Sequence, residues 1–134
     1  MTLYAFALNC SLESSGEPSS TGKLTGELLA VLGTHGVVSS GTARAAEHVV
    51  RPGVTSDEAD GDEWPALRRR ILDADISVLG TSIWMGHPSS IAQRMLERVD
   101  VFLGETDERG RKVSLDGVAV AAVDGNDNGT YHGE

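Results

Sequence analysis

The chain is poor in four things, and each shortage removes a class of protein. It has one cysteine, Cys10, in 134 residues, so no disulfide can form within the chain. That excludes the disulfide-stapled secreted folds and favours a reducing, cytoplasmic setting. Basic residues are scarce: 11 Lys and Arg stand against 20 Asp and Glu, for a formal charge of -9. Such a surface repels a phosphate backbone, so no nucleic-acid partner is expected. No apolar run approaches the ~20 residues a membrane helix needs, and no membrane partner is expected. Leu3 to Leu8 is too short for a signal core and no positive charge precedes it. Aromatics are limited to two Trp, two Tyr and two Phe, so the core must be packed mainly from Ala, Val, Leu and Ile. Neither GxxxxGK[ST] nor GxGxxG occurs, which removes the two commonest glycine-rich nucleotide loops. His35, His48, His87 and His132 lack metal-ligand spacing, and no metal is expected.

What the chain does have is an alternation of two patterns. Leu3 to Leu8 reads as a strand buried on both faces. After a polar loop, Ser19, Ser20 or Thr21 offers a helix N-cap, and Leu24, Leu28, Leu29 and Leu32 form a helical stripe that Gly33 and Gly36 end. Val37 to Ala45 is a weaker strand suited to an edge. Arg51 to Glu63 is an acidic loop; as a lid, its Asp57 to Glu63 part would repel a phosphate-bearing ligand. Asp62 then caps a helix carrying Trp64, Leu67 and Ile71, with Arg68 to Arg70 on its solvated face, paired with Asp62, Glu63 or Asp73. Ile76 to Gly80 is a third strand. Pro88-Ser89-Ser90 opens a helix striped by Ile91, Met95, Val99 and Phe102, and Val118 to Val123 is a fourth strand, apolar throughout. The order β-α-β-α-β-α-β predicts one α/β domain over residues 1–134, a doubly wound parallel sheet with helices on both faces.

Ligands of such sheets bind beyond the carboxyl ends of the strands. Three loops lie there. The first holds Ser11, Ser14, Ser15, Ser19, Ser20 and Thr21 ahead of a helix N-terminus. It reads either as a phosphate cradle or as a plain helix cap. The second, Thr81 to Ser89, carries Trp84 and Met85 beside Gly86. It suits a flat apolar ring, or else covers a core or a subunit contact. The third runs from Asp124 to Glu134 and is rich in glycine and asparagine.

These residues resemble the flavodoxin-like NAD(P)H-dependent FMN reductase and quinone reductase superfamily. The similarity rests on Leu8-Asn9-Cys10-Ser11 through Ser19-Ser20-Thr21, on Thr81-Ser82-Ile83-Trp84-Met85-Gly86-His87-Pro88-Ser89-Ser90, and on Val123-Asp124-Gly125-Asn126-Asp127-Asn128-Gly129. The resemblance implies a flavodoxin-like sheet, bound FMN, NAD(P)H as co-substrate, and a flavin, quinone or other small molecule as electron acceptor. By position, Ser11, Ser19, Ser20 and Thr21 would hold the phosphate. Ile83, Trp84, Met85 and Gly86 would flank the ring, and Gly125 and Asn126 would meet its pyrimidine side. No catalytic side chain is required, since the cofactor carries the hydride chemistry. The chain departs from the family at Ser82, where proline is usual, and at His87, where a small or amide residue is usual. It also stops at Glu134, where the family continues through a helix, a fifth strand and a last helix. The expected strand order is therefore 2-1-3-4 with the fifth strand missing. The open edge of the fourth strand is expected to be covered by a homodimer or other oligomer. A family member shortened in this way could also have lost redox activity and act as a partner-binding protein or in a non-redox reaction.

Two other chemistries touch the same loops. Low-molecular-weight tyrosine phosphatases place a nucleophilic cysteine where Cys10 stands, with an arginine six positions on; that position is Gly16, and no Lys or Arg precedes Lys23. Asp124, Asn126, Asn128 and Gly129 match half of a calcium loop, but the glutamate is out of register and a strand, not a helix, leads into it.

Overall fold

The computed structural model of the chain describes residues 1–13, 17–106, 108–111 and 117–125. The elements are β1 (Tyr4–Asn9), α1 (Ser20–Thr34), β2 (Val38–Arg44), a 3-10 turn (Ala45–Glu47), α2 (Trp64–Asp73), β3 (Ile76–Trp84), a two-residue β4 (His87–Pro88), α3 (Ser90–Leu103) and β5 (Val118–Asp124). The strand expected as the fourth is thus β5, because the short β4 folds back antiparallel on the end of β3. The main sheet runs β2-β1-β3-β5 and is parallel throughout. This is the expected flavodoxin-like order 2-1-3-4, counted without the hairpin strand.

Alternation along β1 sorts its side chains to two cores. Phe6 and Leu8 join Trp64 and Leu67 of α2 and Ala92, Met95 and Phe102 of α3. Ala7 joins Val78 and Ala122 under Leu24, Leu28 and Leu29 of α1. Burial on both faces explains why the strands read as continuous apolar runs. β5 departs from that pattern: Val118 and Val120 are exposed, and Ala122 is its buried residue. Among the described residues β5 pairs with β3 alone, so its outer side stays open.

The leucine stripe of α1 is only half-buried, while Thr21 and Thr25 are buried. The reason lies in β3. A Cβ built on Gly80 would fall 2.4 Å from Thr25 Cγ2 and 3.0 Å from Thr21 Cγ2. The helix therefore rests its threonines directly on the strand backbone and leaves its leucines towards the rim.

On the opposite face, Arg98 of α3 is fully buried. Its Nη2 lies 2.7 Å from Asp62 Oδ2, and its guanidinium also donates to the carbonyl oxygens of Arg51 and Thr55. Asp62 additionally accepts from the backbone N–H groups of Glu58, Trp64 and Arg51. The helix cap residue is Glu63, not Asp62. The acidic loop is therefore a wall built around Arg98 and not a free lid. The arginine run of α2 is also more engaged than its pattern suggests. Arg68 pairs with Glu105, and Arg70 lies over the Phe6 ring at 4.4 Å.

Two outcomes follow. Gly80→Ala forces an overpacked contact against β-branched Thr25 and lowers stability by about 1–3 kcal/mol, measured as a shift in the urea midpoint. Burial alone raises the Asp62 carboxyl, but the Arg98 guanidinium and three backbone donors outweigh it and hold the group well below its ordinary value. Its stabilisation is therefore complete above the unfolded value of ~3.9 and is lost as pH falls through the folded value. Asp62→Asn, which leaves Arg98 buried without a counter-charge, should cost about 3–5 kcal/mol at neutral pH, and the gap to the parent should narrow below about pH 4. A gap that stays constant down to acid unfolding would refute this assignment.

Candidate functional site

The site lies where β1, β3 and β5 end. In register, Asn9 stands beside Gly80, and Ser82 beside Asp124. The Asn9 side chain accepts from Ser11 N–H at 3.0 Å. Its amide also abuts Gly22, where an added Cβ would come within 3.0 Å. The end of β1 is thus tied to the first turn of α1. Ser19 is the N-cap, its hydroxyl accepting from Gly22 N–H at 3.0 Å. Ser11 is 1 % exposed, and its buried hydroxyl has no partner among the described residues. A buried, unpartnered hydroxyl is costly unless something completes it.

The hydroxyls of Ser20 and Thr21 are engaged elsewhere. Ser20 donates to Asp124 Oδ2 at 2.5 Å and Thr21 to Asp124 Oδ1 at 2.7 Å. The four residues predicted to hold phosphate therefore divide into two pairs: the hydroxyls of Ser20 and Thr21 give their protons to a carboxylate, while no donation by the hydroxyls of Ser11 and Ser19 is seen among the described residues.

The second loop is a hairpin. β3 runs on through Ile83 and Trp84, turns at Met85-Gly86, and returns with Trp84 opposite His87. Both turn residues have positive φ, 51° and 80°, as a two-residue hairpin turn of the primed type requires. Trp84 is 52 % and Met85 92 % exposed, so the apolar tip covers no core. The Trp84 indole N–H donates to Ser82 Oγ at 3.0 Å, which gives Ser82 a task proline could not perform. Gly125 sits across from this hairpin with φ 145°, and a Cβ there would lie 2.9 Å from Ile83 Cβ. Ile83, Trp84, Met85, Gly86 and Gly125 therefore share one end of the sheet with Ser11. Asn126 lies outside the described residues.

Sequence reasoning missed the residues that join these loops. Ser89 is fully buried; its hydroxyl donates to Cys10 O at 2.6 Å and accepts from Ala92 N–H, the cap of α3. Ser89 N–H in turn donates to Thr81 Oγ1. The available signal was two hydroxyl residues flanking the hairpin, with no means of telling which strand they reach. A separate cleft of ≈ 210 Å³ opens between the 3-10 turn and α3, lined by His48, Val50, Ile91, Arg94 and Met95 among others. His48 pairs there with Glu63, and Arg94 donates to Val50 O. Among the described residues no group of His, Cys, Asp and Glu could hold a metal ion, and no helix is long and apolar enough to cross a membrane.

Residues 4–132 match the sequence profile of the NADPH-dependent FMN reductase family. Among curated proteins, a divalent metal cation transporter, MntH, of Mycobacterium bovis is 35% identical over 134 residues, covering 97% of this chain and 19% of that protein. The 8-demethyl-8-aminoriboflavin-5′-phosphate synthase of Streptomyces davaonensis is 26% identical over 141 residues, covering 98% of this chain and 54% of that one. The chain therefore spans about half of one relative and a fifth of the other. Among solved structures, RosB with its bound intermediate 8-demethyl-8-formylriboflavin-5′-phosphate superposes with a TM-score of 0.81 at 26% identity, over 96% of this chain and 54% of that one.

Cys10 has none of the features of a nucleophile. It is fully buried, and burial pushes its thiol up to about 12, away from the thiolate form that reacts. The folded protein should therefore leave Cys10 untouched by a disulfide reagent at pH ~8, where an ordinary thiol is partly ionised, and react fully once unfolded in urea. Rapid labelling of the folded chain would contradict this.

Proposed function

The chain belongs to the NADPH-dependent FMN reductase family, and on that premise we propose that it binds FMN and works as an oxidoreductase. NAD(P)H would reduce the bound flavin, and the electrons would pass to a flavin, quinone or other small acceptor. The carrying observation is the buried hydroxyl of Ser11, without a partner among the described residues, beside the first turn of α1. A helix N-terminus favours an anion, and a phosphate oxygen supplies the acceptor that Ser11 lacks. At the other end, the Trp84-Met85 tip and the close pair Ile83 and Gly125 offer an apolar face and bare backbone to a planar ring. These residues fit the group.

When bound, FMN supplies the hydride-accepting and hydride-donating chemistry. The chain's own part is to hold and shield. Ser11, Ser19 and the Ser20 and Thr21 N–H groups would bind the phosphate, since Gly22 N–H and Lys23 N–H are already taken by Ser19, and the Met85-Gly86 turn sets the Trp84 ring at the mouth of the site. The open side of β5 would be covered by a second copy or another strand.

A second reading is supported by the riboflavin-phosphate chemistry named for the Streptomyces relative. In that reading the flavin phosphate is itself the substrate, in a reaction other than electron transfer to an acceptor. Turnover separates the two: a reductase oxidises NADH or NADPH only with flavin and acceptor present.

The binding reading is tested by titrating FMN into the purified chain and following Trp84 fluorescence, with Trp84→Phe to subtract buried Trp64. Saturable quenching is expected. Ser11→Ala should weaken FMN by about tenfold or more, as for a hydrogen bond to a charged group, and leave riboflavin unchanged. Absence of saturation by FMN at millimolar concentration would reject the proposal.

A further inference from the structure

We propose that Asp124 is a specificity-determining residue that holds the phosphate end of this site in a weak-binding state, so that flavins exchange freely and their phosphate is discriminated only slightly. The inference rests on the flavin-binding reading above and concerns how that site is tuned.

Three observations meet at this carboxylate. Asp124 ends β5 and accepts both hydroxyl protons offered by the first turn of α1, from Ser20 at 2.5 Å and Thr21 at 2.7 Å. A hydroxyl has one proton to donate. While both point to Asp124, neither can go to a phosphate oxygen, although both can still accept. Second, the carboxylate is a fixed negative charge hydrogen-bonded to the very turn whose N–H groups attract an anion. A dianionic phosphate drawn to that turn meets like charge at close range. Third, no Lys or Arg lies between Met1 and Lys23, so the loop itself brings no cation to offset Asp124. Ser11, whose buried hydroxyl has no partner among the described residues, and Ser19, whose hydroxyl oxygen accepts from Gly22 N–H, remain as the side chains not committed to Asp124. They are enough to admit a phosphate but not to bind it tightly against an adjacent carboxylate.

The arrangement makes Asp124 an internal counterpart of the ligand. It neutralises the donor excess of the α1 N-terminus when no phosphate is there, and competes with phosphate when one arrives. Neutralising the charge while keeping the shape should release that competition. Asn at 124 can still accept from Thr21 and can donate to Ser20, so the junction between β5 and α1 is preserved.

The test is a pair of dissociation constants, for FMN and for riboflavin, measured by fluorescence on the parent chain and on Asp124→Asn. In the parent the two constants should agree within about tenfold. In Asp124→Asn the constant for FMN should fall by about tenfold or more, ~1.4 kcal/mol, with riboflavin changed less than about twofold. Unchanged or weakened FMN binding in a variant that still binds riboflavin overturns the role of Asp124 and leaves the flavin reading intact. If neither flavin binds either protein, the flavin reading itself fails and this inference with it. Riboflavin binding and the thermal midpoint report whether the variant folds, and Asp124→Ser replaces it if Asn does not. A parent chain that prefers FMN over riboflavin by a hundredfold or more overturns the proposal without any variant.

Discussion

The seat of α1 on β3 is the constraint on which the site depends. Gly80 leaves no room for even a methyl group between Thr25 and the strand, so the helix axis comes as close to the sheet as backbone allows. Every consequence at the carboxyl edge follows from that distance. Thr21, one turn earlier, reaches the end of β5 and meets Asp124. Ser20 beside it does the same. Gly22 abuts Asn9, and Asn9 in turn fixes Ser11. A larger residue at position 80 would lift the helix and dissolve this chain of contacts before touching any residue that faces a ligand. Close packing transmits such shifts because interiors deform little.

The other face is organised by a charge and not by a void. Arg98 sits beneath the Trp64 ring, 5.7 Å from its centroid, and gathers Asp62, Arg51 and Thr55 around its guanidinium. A buried ion pair adds little net stability over apolar packing, but removing one partner strands the other. Its effect is on specificity: it determines where a long acidic loop lies. As a lid, the Asp57 to Glu63 part of that loop was expected to repel a phosphate-bearing ligand. Once Asp62 faces inward to Arg98 and Asp57 and Glu58 engage the loop's own backbone, it is a fixed wall beside α3.

β1 was legible because burial on two faces leaves a continuous apolar run, and α3 because burial on one leaves a stripe, whereas β5 kept an apolar run with Val118 and Val120 exposed and α1 buried Thr21 and Thr25 ahead of its leucines. The hairpin was partly legible. Trp84, Met85 and Gly86 stood out by residue type, but the primed turn that exposes them depends on positive φ at Met85, and a methionine does not announce that. Ser11 was visible as one hydroxyl among several. Nothing local distinguished it from Ser20, whose proton goes to a residue 104 positions away. Arg98 was hidden for the same reason. It interrupts the apolar stripe of α3 one residue before Val99, and its partner Asp62 read as a helix cap. Side-chain pairs between distant segments carry no periodicity, so a pattern reading finds each member and misses the bond.

This also changes what the acidic composition means. A formal charge of -9 suggests a surface field that pushes anions away. Yet several carboxylates are turned to local use, accepting protons that the fold leaves unpaired. Asp75 takes Tyr4 N–H at the start of β1. Glu63 takes Val49 N–H and His48, and its carboxyl is lowered chiefly by that backbone bond. Asp62 takes three backbone donors besides Arg98, and Asp124 takes two hydroxyls. Acids serve here as loop fasteners where longer loops would otherwise expose N–H groups. The net charge therefore says little about the potential at the carboxyl edge. What matters there is which donors remain after the chain's own acids have taken theirs, and at that edge, among the described residues, Ser11 keeps a buried hydroxyl without a partner.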